Sequence, residues 1–183
     1  MSALHKIRPG GFTLIELLIS IAIFSITLTF GISSYRTWVL GSQIRNAAES
    51  ISNGMQHTRA EAVKRNTNVA FVLGAASAWQ ISVPSIPGVS GVVETRPSSE
   101  GSKNVAITVT PGGATTITYS NLGTVALNGD GSATLSQIDL DSSLAVSGVR
   151  ALRVAIGVGG DPRVCDPSPA ITNKSPPDPR RCY

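Results

Sequence analysis

Residues 12 to 32 read FTLIELLISIAIFSITLTFGI, a run of 21 residues in which Glu16 is the single ionisable side chain. At about 1.5 Å of rise per helical residue the run reaches roughly 30 Å, the thickness of a bilayer's hydrocarbon core. It therefore predicts a membrane-spanning helix. The segment in front of it, MSALHKIRPGG (residues 1–11), carries Lys6 and Arg8. Basic residues stay on the cytoplasmic side, which places everything after Ile32 on the far side. A removable secretory signal has the same outline. Against it, the run is long for such a signal, and Gly31-Ile32-Ser33-Ser34-Tyr35 holds no cleavage pattern of the Ala-x-Ala kind. An ordinary anchor leaves Glu16 unexplained. A carboxylate inside an apolar helix costs a few kcal/mol on insertion scales and marks a functional position, unless it snorkels to the nearby cytoplasmic interface.

The residues around Glu16 add a resemblance. Gly10-Gly11-Phe12-Thr13-Leu14-Ile15-Glu16-Leu17-Leu18 resembles the type IV prepilin signature, in which a dedicated prepilin peptidase cuts after the glycine and methylates the new N-terminal Phe. The resemblance implies cleavage between Gly11 and Phe12, N-methylation of Phe12, and an assembly role for Glu16, one helical turn from the new amine. An ammonium and a carboxylate so placed, in one subunit or between neighbours, each lower the other's desolvation cost in a low-dielectric helix bundle.

Beyond the apolar run, residues 33–66 turn amphipathic. Ile44, Ala47, Ala48, Ile51, Met55, Thr58 and Ala62 follow the i, i+3, i+4, i+7 template, with Arg45, Glu49, Asn53, Gln56 and Lys64 on other faces. This is a helix with one buried stripe. Joined to the apolar half, it would make a rod of about 80 Å, with Gly31 and Gly41 as bending points. Its end, Thr58-Arg59-Ala60-Glu61-Ala62-Val63-Lys64-Arg65-Asn66, is a basic C-terminus favoured by the helix dipole, with Asn66 as the stop. The same stretch resembles the one found in minor pilins and pseudopilins of the FimT, FimU and GspH type.

Residues 67–183 are enough for one small core. Short β-rich runs recur at Val69–Leu73, Trp79–Val83, Val105–Thr110, Thr115–Ser120, Thr124–Leu127, Ile138–Leu140 and Val149–Ile156, separated by turn formers such as Pro111-Gly112-Gly113. They read as an antiparallel sheet system packed on the helix. The expected fold class is α+β and, as the resemblance implies, pilin-like: a long N-terminal helix, its first half membrane-spanning, on a C-terminal antiparallel β-sheet domain. The Pro-, Ser- and Gly-rich stretch from Pro84 to Lys103 reads as a long surface loop. Trp79 reads as a core or rim aromatic. Asn128-Gly129-Asp130-Gly131-Ser132 reads as a tight turn, because it lacks the ligand spacing and closing Glu of an EF-hand. Cys165 and Cys182, both exported, read as a disulfide contributing roughly 3 kcal/mol. It would tie down a proline-rich C-terminal loop that cannot hold itself folded. Two cysteines with no nearby His are too few for a metal site.

Overall the chain has 183 residues, 42% apolar and 14% charged, which suits one domain plus an appendage. The formal charge of +4 is modest, and its distribution matters more. Residues 149–183 carry Arg150, Arg153, Arg163, Lys174, Arg180 and Arg181 against Asp161, Asp166 and Asp178, a local basic patch. No catalytic triad can be assembled from a mature chain whose one histidine, His57, lies on the helix. Gly157-Val158-Gly159-Gly160 is followed by Asp161-Pro162 and reads as a turn, not a phosphate cradle. The expectation is a protein without enzymatic activity, cofactor or metal.

The family resemblance implies partners: prepilin peptidase, other major and minor pilins or pseudopilins, and the bacterial inner membrane, with the C-terminal domain in the periplasm. FimT-like members that bind DNA carry a Gly-Arg-x-Arg pattern before a cysteine. The matching stretch here is Gly160-Asp161-Pro162-Arg163-Val164-Cys165, with Asp161 where an Arg is expected. Arg163, Lys174, Arg180 and Arg181 are the candidate phosphate contacts for non-specific, salt-sensitive DNA binding.

Overall fold

The computed structural model describes residues 11–83 and 91–182, without the side chains of residues 29–31 and 33. Most of the leader, and residues 84–90 of the expected long loop, lie outside the described residues. The chain divides into two compact units, Met1–Arg36 and Thr37–Tyr183.

Helix α1 runs over Leu14–Arg65. At its start the Glu16 backbone N–H donates to Thr13 Oγ1 at 3.3 Å, one arm of the capping box that a Thr-x-x-Glu sequence offers. At its end Asn66 adopts a left-handed φ of 52°. Its N–H donates to the Val63 carbonyl, and the Thr67 N–H reaches back to the Ala62 carbonyl, both at 3.2 Å. This pair of bonds is a Schellman motif, for which asparagine is the usual substitute for glycine. The sequence stop at Asn66 thus has a specific backbone cause.

The second unit sets the C-terminal half of α1 against two antiparallel sheets. One has the strand order β3-β2-β1-β5-β6, from β1 (Val69–Leu73), β2 (Trp79–Ser82), β3 (Val92–Arg96), β5 (Thr116–Tyr119) and β6 (Val125–Ala126). The other has the order β4-β7-β8-β9, from β4 (Val105–Thr110), β7 (Gln137–Ser142), β8 (Leu152–Ile156) and β9 (Pro162–Cys165). A single turn of helix, α2 (Pro169–Thr172), follows. Every member of the expected helical stripe, Ile44, Ala47, Ala48, Ile51, Met55, Thr58 and Ala62, is buried. Its apolar members share one core with Phe71, Ile81, Ile117 and Tyr119 of the first sheet and Ile138, Leu140 and Val154 of the second. Alternation explains the strand faces: β1 and β2 bury every second residue, as strands with one covered face do.

Two helix–sheet contacts fix how close the layers lie. A Cβ on Gly54 would come within 2.9 Å of Phe71 Cε2 and 3.1 Å of the Trp79 indole, so the aromatic rings sit directly on the helix backbone. The Trp79 Nε1–H donates to Ser50 Oγ at 2.8 Å, which satisfies the indole's buried donor.

Two strands depart from the sequence reading. The expected loop of residues 84–103 contains β3, paired with β2 from Trp79↔Arg96 to Ser82↔Val92. Its residues are mostly exposed, so it is an edge strand without a buried alternation to reveal it. The stretch after Gly160 is strand β9, paired with β8 from Ile156↔Pro162 to Arg153↔Cys165. It is also an edge strand, and it opens on a proline, the position at which a strand tolerates one. The Asn128–Ser132 segment is a tight turn as expected, with the Gly131 N–H on the Asn128 carbonyl at 3.0 Å.

Candidate functional site

In the N-terminal unit, every Leu, Ile and Phe from Phe12 to Leu28 is more than half exposed. Contiguous apolar surface of this extent is not left facing water in a soluble protein; it marks a lipid or protein contact. Among the described residues no helix is long and apolar enough to cross a membrane; the side chains of residues 29–31 of the apolar run lie outside them. Glu16 lies exposed within this run, and Phe12, ahead of the helix, is 87% exposed. Gly11 has no left-handed backbone, and a Cβ added to it would meet nothing within 4 Å. Among the described residues nothing packs against that position.

In the second unit the structure distributes the cations of the sequence very unevenly. At the end of α1, Glu61 is buried and accepts from Arg65 Nε at 2.6 Å and Lys64 Nζ at 3.0 Å. These two hydrogen bonds hold its carboxyl below the usual carboxylate range. Arg59 lies 3.8 Å from Asp161, so the acidic residue that breaks the Gly-Arg-x-Arg pattern is turned to the helix end. In the C-terminal loop Asp178 is buried, accepting from Arg180 Nε at 3.0 Å, from Arg180 Nη2 at 2.9 Å and from the Arg180 backbone N–H at 2.9 Å. Lys174 Nζ stands 3.8 Å from the same carboxylate. The Arg180 contacts hold the Asp178 carboxyl well below its ordinary range, and the pairing raises the Arg180 guanidinium in turn. Arg153 pairs with Asp139 at 2.6 Å and Arg150 with the buried Asp166 at 3.3 Å.

Of the four candidate DNA contacts, Lys174 and Arg180 therefore converge on one internal carboxylate. Arg163 and Arg181 are brought together elsewhere, lining one cleft with Ile156, Gly157, Cys165 and Pro179. The Cys165–Cys182 disulfide, with Cα atoms 5.1 Å apart, joins β9 to the chain end beside that cleft. The enclosed loop is more ordered than its proline content predicts. It contains α2, buries Ile171, and is turned at both ends by aspartates: Asp166 Oδ1 accepts from the Ser168 N–H and Asp178 Oδ1 from the Arg180 N–H, each at 2.9 Å. Asp166 and Asp178 are the residues that sequence reasoning missed. Asp-x-Ser and Asp-x-Arg spacing, the Asx-turn pattern, was the available signal.

The β8–β9 turn that leads into Arg163 on β9 is pinned by a tyrosine. The Tyr119 hydroxyl, fully buried, donates to the Gly160 carbonyl at 2.7 Å. Burial pushes its pKa up to about 12. Gly160 has a φ of +81°, and a Cβ there would meet Tyr119 Cε1 and Val125 Cγ2 at 2.8 Å. Glycine is demanded twice, by backbone and by space. Among the described residues no group of three or more His, Cys, Asp or Glu is placed to hold a metal ion.

Comparison with known proteins adds two family matches. The model described as type II transport protein GspH matches residues 47–160, and that of the prokaryotic N-terminal methylation motif matches residues 8–32. Among solved structures, two crystal forms of the Pseudomonas aeruginosa type IV minor pilin FimU align at 16% identity and a TM-score of 0.47, covering 76% of this chain and 95% and 99% of theirs.

Proposed function

Because the chain belongs to the type II transport protein GspH family, we propose that it is a minor pilin or pseudopilin, a structural subunit that helps initiate or cap a type IV pilus or a type II secretion pseudopilus. Prepilin peptidase cuts after Gly11 and methylates Phe12. Residues 12–32 hold the subunit in the inner membrane, with the β-rich unit in the periplasm, until the helix is drawn into a filament of other pilins or pseudopilins. One observation carries this reading: the exposed apolar side chains of the helix fall within the residues, 8–32, matched by the N-terminal methylation motif.

Changing Gly11 to Leu should leave the chain uncut, as read by intact mass. A mature product beginning at Phe12 would overturn the proposal. Glu16→Ala should still be processed but fail to enter filaments isolated from cells; normal incorporation would remove the charge-pairing role of Glu16.

A second reading, DNA contact in the manner of FimT-like proteins, is favoured by the meeting of Arg163 and Arg181 in one cleft. It is weakened by the internal pairing of Lys174 and Arg180 with Asp178. The processed chain in neutral detergent should then retard duplex DNA at low salt, and Arg163→Ala with Arg181→Ala should abolish the shift. No shift at low salt leaves the scaffold reading alone.

A further inference from the structure

One groove of the second unit belongs neither to the apolar helix nor to the Arg163–Arg181 cleft. Trp38, Ser42 and Arg45 of α1 line it on one side, and Gly148, Arg150 and Leu152 at the entry to β8 on the other. Two guanidiniums from separate elements share it with an indole and a hydroxyl, and no carboxylate is among its lining residues. The acidic partner of Arg150 sits behind the lining: the Asp166 side chain is 3% exposed and is approached by Nε at 3.3 Å. The Asp166 Oδ2 atom makes no hydrogen bond among the described residues, so the contact steadies Arg150 as an ion pair without the alignment of a full bidentate fork. Arg45 and Arg150 are both exposed, and Trp38 is 68% exposed.

We propose that this groove binds the phosphate of an anionic phospholipid headgroup from the periplasmic leaflet of the membrane that anchors the chain. The inference rests on the reading that residues 12–32 span that membrane. Guanidinium groups match phosphate oxygens in geometry as well as charge, and an indole beside them is the side chain most at home at the membrane–water boundary. Chain length supplies the remaining argument. Trp38 is six residues beyond Ile32; at the full extension of about 3.3–3.6 Å per residue it cannot lie more than about 20 Å from the end of the apolar run, whatever the backbone does between them. The groove is tethered within reach of the headgroups. Occupied, it would hold the waiting subunit at a set height, and extraction into a filament would empty it.

The test uses the full processed chain in neutral detergent micelles, where Trp38 and Trp79 supply the two indole N–H resonances. Trp79 is buried and bonded to Ser50, which makes it an internal reference. Added dihexanoyl phosphatidylglycerol should move the Trp38 signal saturably and leave Trp79 in place. Arg45→Gln, which spares the Arg150–Asp166 pair, should weaken binding about fivefold, the factor equivalent to ~1 kcal/mol for one basic side chain at an anionic surface. An unshifted Trp38 signal, or an unchanged affinity in Arg45→Gln, overturns the proposal. So does equal binding of dihexanoyl phosphatidylcholine. Saturation by inorganic phosphate at the same concentration also overturns it, by reassigning the groove to free anions. Carbonate washing of membranes tests the premise separately. Release of the chain refutes the span itself, whereas a retained chain with a silent titration refutes only the groove.

Discussion

Replacing Gly160 by Ala tests whether the β8–β9 turn is held as described. Two costs add. A left-handed backbone at φ +81° costs an L-residue about 1–2 kcal/mol. The new methyl would lie 2.8 Å from both Tyr119 Cε1 and Val125 Cγ2. Tyr119 has no room to retreat, being fully buried and tied by its hydroxyl to the Gly160 carbonyl at 2.7 Å, so overpacking should add about 1–3 kcal/mol. The expected loss of about 2–5 kcal/mol is a large share of a typical domain's stability of roughly 5–15 kcal/mol. Gly159→Ala, one residue earlier, is the control. No left-handed φ applies there and an added Cβ meets nothing within 4 Å, so its effect should stay within about 0.5 kcal/mol. Urea unfolding of the processed chain, followed by near-ultraviolet dichroism, gives both values. Tyrosine absorption in alkali gives a second readout. Tyr119 should ionise only near pH 12 in the native chain and earlier where the turn has been lifted. If Gly160→Ala unfolds at the same urea concentration as Gly159→Ala, the account of this turn is wrong.

Two further outcomes are expected. The Asp178 carboxyl is depressed in the folded chain, so its contribution is present above the unfolded value of about 3.9 and is lost as pH falls through the lower, folded one. Asp178→Asn should therefore melt below the wild type at pH 7, with the gap closing from about pH 5 downward; parallel melting curves across that range would refute the pairing. Gly54→Val should destabilise by about 2 kcal/mol or more, since a branched side chain must displace Phe71 and Trp79 from the helix; denaturation that matches the wild type would show that the helix–sheet spacing has slack.

How much of this was legible in the residues depends on what each element is held by. The strands Val69–Leu73 and Val105–Thr110 stand where their β-branched runs place them, and the helix ends one residue before Asn66, because these are local propensities. Val92–Arg96 and Pro162–Cys165 were not legible as strands. Each lies at a sheet edge, and pairing with one neighbour rather than its own composition makes it a strand. The division into two sheets likewise depends on contacts between residues far apart in sequence. At the candidate sites, the prepilin-like stretch around Glu16 could be read directly, because its chemistry is linear. The basic patch could not. Counting Lys174, Arg180 and Asp178 gives a net charge, but only their geometry shows two of the cations meeting at one buried carboxylate.

The glycine notch at residue 54 bears on how a filament subunit would carry load. Phe71 and Trp79 lodge against bare helix backbone there, and the Ser50 and Thr58 side chains occupy the adjoining turns, Ser50 bonded to the Trp79 indole and Thr58 to the Gly54 carbonyl at 2.7 Å. For the globular unit to slip along its helix, both rings must ride over one of these neighbouring turns. Tension applied along α1 therefore meets a detent rather than a smooth greasy track, and the grip should fail by unfolding of the sheet before it fails by sliding.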